Sequence, residues 1–237
     1  MILNTDQYRC VLWLLVIFFQ GMFVGCSDDT EKRMEDPPMV SEIVLNELEV
    51  DLFEGDDLLD KDYNLLFIGN SLTYTNDLPK LVRQRAAYKN LKIGTKMVAL
   101  PNYAIIDHWN YSNTQKLIES GKFDFVIIQQ GPSSRPYSLE LLIEGGKRYS
   151  EICREFDVQL VYFMVWPSRT YYDTFDAVIA NHIEAANLNE ALLCPVGKVW
   201  KKYFDETDTF DYYSLDGFHP SLKGSQVAAD VIIQTLF

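Results

Sequence analysis

The chain has 237 residues, enough for one domain with a substantial core, and its 48% hydrophobic and 14% aromatic content exclude a disordered or low-complexity protein. Its 34 acidic against 21 basic residues leave a net charge of −13, which argues against nucleic acid and anionic membrane surfaces as partners. No internal repeat of solenoid or propeller period is present.

Residues 1–25 form a compositional unit of their own. The apolar run Val11 to Phe19 is shorter than a bilayer span and is followed by small residues, so it predicts a signal peptide; its basic flank is weak, with only Arg9 against Asp6. Phe23-Val24-Gly25-Cys26 resembles a bacterial lipobox, with Phe where Leu is usual. Cys26 is then expected to be acylated and to become the mature N-terminus, holding the protein at a membrane through a lipid anchor only. The alternative is a signal peptide with an incidental cysteine. Residues 26–62 are acidic and contain proline, and read as a tether in which Leu45, Leu48, Val50, Leu52 and Phe53 form a short packing segment. Ser27-Asp28-Asp29-Thr30-Glu31 resembles the surface-export signal of some Gram-negative lipoproteins. The expected location is the bacterial cell envelope, lipid-anchored in the outer membrane and surface-exposed.

Downstream, strand-like and helix-like patterns alternate. In chain order the expectation is strand 64–69, helix 77–88, strand 92–100, helix 105–120, strand 124–130, helix 139–156, strand 158–166, helix 175–190, strand 192–196 and helix 221–236, the last with Ser221 as N-cap. Continuous apolar runs such as Leu65-Leu66-Phe67-Ile68 fit strands buried on both faces. The predicted fold class is α/β: a three-layer α/β/α domain over 63–237 with a central, mostly parallel five-stranded sheet. Ser71, Asn102, Gln130 and Trp166 all fall at the carboxyl ends of strands, where such sheets gather function. Cys153 and Cys194 read as small buried apolar residues, with a disulfide between them as the alternative.

Two motifs carry the chemistry. Gly69-Asn70-Ser71-Leu72-Thr73 follows the first strand and presents a serine hydroxyl on a glycine turn, while Asp216-Gly217-Phe218-His219-Pro220 sets a carboxylate three residues before an imidazole. A serine is a weak nucleophile until a base takes its proton, and the base needs an orienting group. Ser71, His219 and Asp216 supply these three parts.

These motifs resemble the SGNH (GDSL) hydrolases, whose first block is a Gly-Asp-Ser-Leu-like turn and whose last is Asp-x-x-His; the likeness spans roughly Tyr63 to Phe237. It implies a flavodoxin-like SGNH fold, serine ester hydrolysis and a catalytic triad of Ser71, Asp216 and His219. It also implies an oxyanion hole made by the Ser71 backbone N–H, a block II glycine and a block III asparagine, and there the chain departs from the pattern. Pro101-Asn102-Tyr103-Ala104 has no glycine, so the Asn102 backbone N–H takes that place. Gln129-Gln130-Gly131 replaces the asparagine and is similar to the Gln-Gly-Glu block of carbohydrate acetyl-esterases in the superfamily, which favours Gln130 as the amide donor. Strand alternation sends Gln129 to the other side.

The remaining candidates are weaker. His108 is expected to cap or pack more readily than to line the site, and His182 to lie on the surface. Trp166, Tyr137, Tyr171 and Tyr172 are expected on loops at the mouth, where aromatic rings either stack on sugars or simply pack. No cofactor or metal is implied, since carboxylates and His/Cys at ligand spacing are lacking. The expected function is removal of O-acetyl or other short acyl groups from carbohydrate, the substrate being an acylated glycan or small ester. Two rivals stand beside it: a lipase- or thioesterase-like acyl hydrolase, and a catalytically weak glycan-binding surface lipoprotein.

Overall fold

The computed structural model describes Leu58 and residues 60–237. The leader, Cys26 and nearly all of the tether lie outside these residues. The run expected to be buried on both faces forms β1 (Tyr63–Gly69), with Leu65, Leu66, Phe67 and Ile68 all at 0% exposure. β2 (Ile93–Ala99), β3 (Phe125–Ile128), β4 (Gln159–Phe163) and β5 (Leu192–Cys194) complete a five-stranded sheet of order β2-β1-β3-β4-β5. Every pairing is parallel, so the sheet is wholly rather than mostly parallel. This is the flavodoxin-like order, whose switch point lies beyond the carboxyl ends of β1 and β3.

The helices are α1 (Ser71–Tyr74), α2 (Leu78–Tyr88), α3 (Ile105–Tyr111), α4 (Thr114–Glu119), α5 (Pro136–Glu155), α6 (Phe175–Leu188), α7 (Val196–Thr207) and α8 (Leu222–Leu236), with a 3₁₀ turn at Arg169–Thr174 before α6. Alternation along β1 divides the core. Leu65 and Phe67 join residues of α2, α7 and α8 on one face, and Leu66 and Ile68 join residues of α3, α4 and α5 on the other. The three-layer α/β/α prediction is thereby met.

Three departures have local causes. The helix expected over 105–120 breaks at Ser112, whose backbone is extended, giving α3 and α4. α5 starts at Pro136 rather than Leu139, because proline suits the first helical turn. α7 was not anticipated: strand β5 is only three residues long, and Val196, assigned to its end, opens a helix that buries Trp200 and Phe204.

His182 is buried, not on the surface. It shares the inward stripe of α6 with Val178 and Ala185, and its Nδ1–H donates to the Val178 carbonyl at 2.8 Å. Burial outweighs that bond and draws its pKa down to about 4. Cys153 and Cys194 are free, buried thiols whose pKa values burial pushes up to about 12, and they form no disulfide.

Candidate active site

Ser71 begins α1 directly after Asn70, whose extended backbone and side-chain oxygen cap the helix by accepting from Leu72 N–H at 3.1 Å. The turn is gripped from three sides. The Gly69 carbonyl accepts from Leu100 N–H (3.1 Å) and from His108 Nε2–H (2.7 Å). His108 is fully buried, with Ser112 Oγ at 3.1 Å from Nδ1 and the Tyr103 ring beside it. Burial lowers its pKa despite the opposing Gly69 bond and Asp107. It packs and braces, as expected, rather than lining the cavity.

The third grip is Gln129. Its Oε1 accepts from Asn70 N–H (2.9 Å) and from the Thr73 hydroxyl (2.8 Å), bracketing Ser71 in sequence. Alternation does keep Gln129 out of the cavity, but its side chain folds under the serine turn and holds it from behind. Gly69 makes room for this: a Cβ there would stand 2.4 Å from Thr73 Oγ1 and 2.6 Å from Gln129 Oε1.

The second motif forms a turn around Asp216. One carboxylate oxygen accepts from the Ser214 hydroxyl (2.7 Å) and from the Phe218 and His219 N–H groups (2.9 Å each). The other accepts from His219 Nδ1–H at 2.6 Å. Desolvation pushes the carboxyl up, but the bonds from His219, Ser214 and the two amides outweigh it and hold Asp216 well below the usual carboxylate range. Gly217, at φ +68°, supplies the left-handed residue the turn needs. With Nδ1 donating to Asp216, His219 carries its free lone pair on Nε2, the tautomer a general base requires.

The two motifs are stitched together. Asn76 Nδ2 donates to the Pro220 carbonyl and to Ser225 Oγ, both at 3.0 Å, so the segment after Ser71 is tied to the residue after His219. Asn76 and Asp77 both have positive φ, a backbone these residue types tolerate. The Asn-Asp pair was the signal for this tie, and sequence reasoning missed it. Trp166 is not an aromatic at the mouth: it is fully buried, stacks on Trp200 at 3.5 Å, and donates Nε1–H to the Phe218 carbonyl at 2.9 Å. Tyr172 packs on Phe175 and bonds Asp205, whereas Tyr137 and Tyr171 are exposed.

Ser71, Asn102 and Gln130 line one cavity of about 310 Å³, and Phe218, the neighbour of His219, forms part of its wall. Asn102 has φ +62°, a left-handed conformation that glycine adopts freely and asparagine tolerates. Among the described residues no acceptor takes the backbone N–H of Ser71 or Asn102. Gln130 is arranged differently from the expectation. Its Nε2 donates to Ser133 Oγ (2.9 Å) and the Ser138 carbonyl (3.4 Å), and Oε1 is buried without a partner.

No family model matches the chain, and no curated protein matches it. Solved structures do. A proposed SGNH hydrolase from Slackia heliotrinireducens superimposes with TM-score 0.63 at 24% identity, over 74% of this chain and 99% of that one. The fold is that of the SGNH hydrolases. A lipase/acylhydrolase from Enterococcus faecalis shares the SGNH fold at TM-score 0.59 and 14% identity, over 73% and 94% of the two chains. So does a catalytic mutant of an acetylxylan esterase from Geobacillus stearothermophilus, at 0.52 and 17%, over 74% and 94%. No group of three or more His, Cys, Asp or Glu able to hold a metal occurs among the described residues.

Proposed function

We propose that the protein is a serine ester hydrolase that removes short acyl groups, most plainly acetyl, from carbohydrate. The observation that carries this is the 2.6 Å Asp216–His219 pair, next in the chain to Phe218 on the wall of the cavity that Ser71 lines, together with two backbone N–H groups that have no acceptor in the described protein.

In this reading His219 Nε2 removes the Ser71 hydroxyl proton as Oγ attacks the ester carbonyl. The charge developing on the carbonyl oxygen is received by the Ser71 and Asn102 N–H groups. His219 then protonates the departing alcohol, and a water, activated the same way, hydrolyses the acyl-enzyme. Asp216 holds the imidazole and stabilises its cation. For Gln130 to add a third donor, its amide must leave the Ser133 hydroxyl and the Ser138 carbonyl and turn its Nε2 toward the cavity. Support for a short acyl group comes from the modest cavity, and for a carbohydrate from the SGNH-fold neighbour named as an acetylxylan esterase.

The present engagement of the Gln130 amide favours a second reading, a glycan-binding protein of weak activity. Hydrolysis of p-nitrophenyl esters from C2 to C12 separates the readings. The enzyme reading expects the highest kcat/KM at C2 and its loss in Ser71→Ala; a maximum at C8 to C12 indicates a lipase-like acyl site, and no Ser71-dependent hydrolysis indicates the binder. The lipid anchor at Cys26 is part of the same proposal and rests on the sequence; no described helix is long and apolar enough to cross a membrane.

A further inference from the structure

A second cavity, of about 460 Å³, adjoins the one that holds Ser71, and Pro132 and Phe218 line both. Its position relative to the chemistry follows from Phe218. The candidate oxyanion donors Asn102 and Gln130 line only the first cavity; Phe218 lines both, and only the second is also lined by Pro167 and Ser168, whose segment is bonded to the loop that carries His219. Arg169 N–H donates to the Gly217 carbonyl at 2.7 Å, joining the 3₁₀ turn to that loop, and the Tyr213 hydroxyl bonds the Pro167 carbonyl at 2.8 Å. In ester hydrolysis the imidazole that took the serine proton returns it to the alcohol oxygen, so the alcohol leaves on the side of His219. The second cavity therefore stands where the alcohol portion of the substrate would lie.

The lining specifies that alcohol. Tyr171 is 64% exposed, a ring face available for a sugar, and Ser134, Ser168 and Thr174 add hydroxyls. Arg135 is the one charged residue in the lining, and no described carboxylate pairs with it. In a chain with 34 acidic and 21 basic residues, a cation in this place is the local attraction for an anion that the rest of the surface repels. A guanidinium suits a carboxylate in particular, since its planar fork offers two parallel donors.

Resting on the esterase reading above, we propose that this second cavity is an alcohol subsite for an acidic sugar, with Arg135 binding the carboxylate of a hexuronate and Tyr171 stacking on its ring. Arg135 is a specificity residue and takes no part in the reaction itself.

The test compares kcat/KM of the full chain on an O-acetylated oligogalacturonide, an O-acetylated xylo-oligosaccharide and p-nitrophenyl acetate. The wild type should favour the acidic oligosaccharide over the neutral one. A charge-assisted bond at a partly exposed site is worth about tenfold, so Arg135→Gln should lower kcat/KM about tenfold on the acidic substrate and less than twofold on the other two. Tyr171→Ala should lower both oligosaccharides and spare p-nitrophenyl acetate, which also reports that each variant is folded. Equal losses on both oligosaccharides in Arg135→Gln, or a wild-type preference for the neutral one, would overturn the anion assignment. No loss in either variant would overturn the subsite. Failure of wild type to hydrolyse p-nitrophenyl acetate, or persistence of hydrolysis in Ser71→Ala, would instead sink the esterase reading and this assignment with it.

Discussion

Replacing Gln129 by methionine keeps the side-chain length but removes the oxygen that holds the serine turn. Two buried donors, Asn70 N–H at 2.9 Å and the Thr73 hydroxyl at 2.8 Å, lose their acceptor. Each unsatisfied buried group costs about 1–3 kcal/mol, so the gross loss is about 2–6 kcal/mol. The wild-type residue carries a debit of the same kind, because Gln129 Nε2 is itself buried without a partner, and methionine removes it. The net expectation is therefore one group's worth, about 1–3 kcal/mol. For a domain of this size that is a fall in Tm of about 2–12 °C. The effect on turnover should be larger than stability alone conveys. Ser71 lies between the two anchored residues, and a misplacement on the order of 1 Å costs up to about 100-fold in rate. On p-nitrophenyl acetate, Gln129→Met should lower kcat by about 10- to 100-fold with little change in KM. The reasoning is refuted if Gln129→Met melts and turns over like the wild type.

The buried histidine on α6 should make the fold acid-sensitive. Its pKa is about 4 folded and about 6.5 unfolded, so between these values the unfolded chain binds more protons and stability falls as pH falls, by up to about 3 kcal/mol. Chemical denaturation from pH 7 to 4 should show a shallower loss in His182→Leu than in the wild type; parallel curves would place the sensitivity elsewhere, His108 being the first alternative. Gln130→Ala should lower kcat about 100-fold with KM little changed if its amide serves the transition state, and kinetics like the wild type's would leave the oxyanion to the backbone amides alone. Cys26→Ser should move the protein from the membrane to the soluble fraction or leave it unprocessed, and wild-type protein recovered wholly in the soluble fraction would contradict the lipid anchor.

The parts most legible in the sequence are those where local pattern and global fold agree. The four apolar residues Leu65 to Ile68 suit an interior strand of a parallel sheet with helices on both faces, and there they stand, between β2 and β3. The spacing of Asp216 and His219 suffices because the pair closes its own turn through backbone amides within four residues. Features set by tertiary reach were harder to see. A period of two places Gln129 behind the cavity, but says nothing of a glutamine long enough to fold under the neighbouring strand's turn. The place of His182 mid-helix beside Asn181 suggests the surface, while the Phe175, Val178, Ala185 and Ala186 stripe around it marks an inward position. α7 shows Val196, Trp200 and Phe204 at intervals of four, a helical stripe hidden when its first residue is counted into β5. Trp166 followed the expected strand end, and only the stacked Trp200 on that missed helix turns it inward.

The central claim is that Ser71 is a nucleophile activated by His219 and Asp216, and covalent labelling tests it most directly. The full chain treated with a fluorophosphonate should gain the mass of a single phosphonyl group, mapped by peptide sequencing to Ser71. The adduct should be absent from Ser71→Ala and much slower to form in His219→Ala. No adduct on the wild-type protein, or an adduct that persists in Ser71→Ala, would contradict the account.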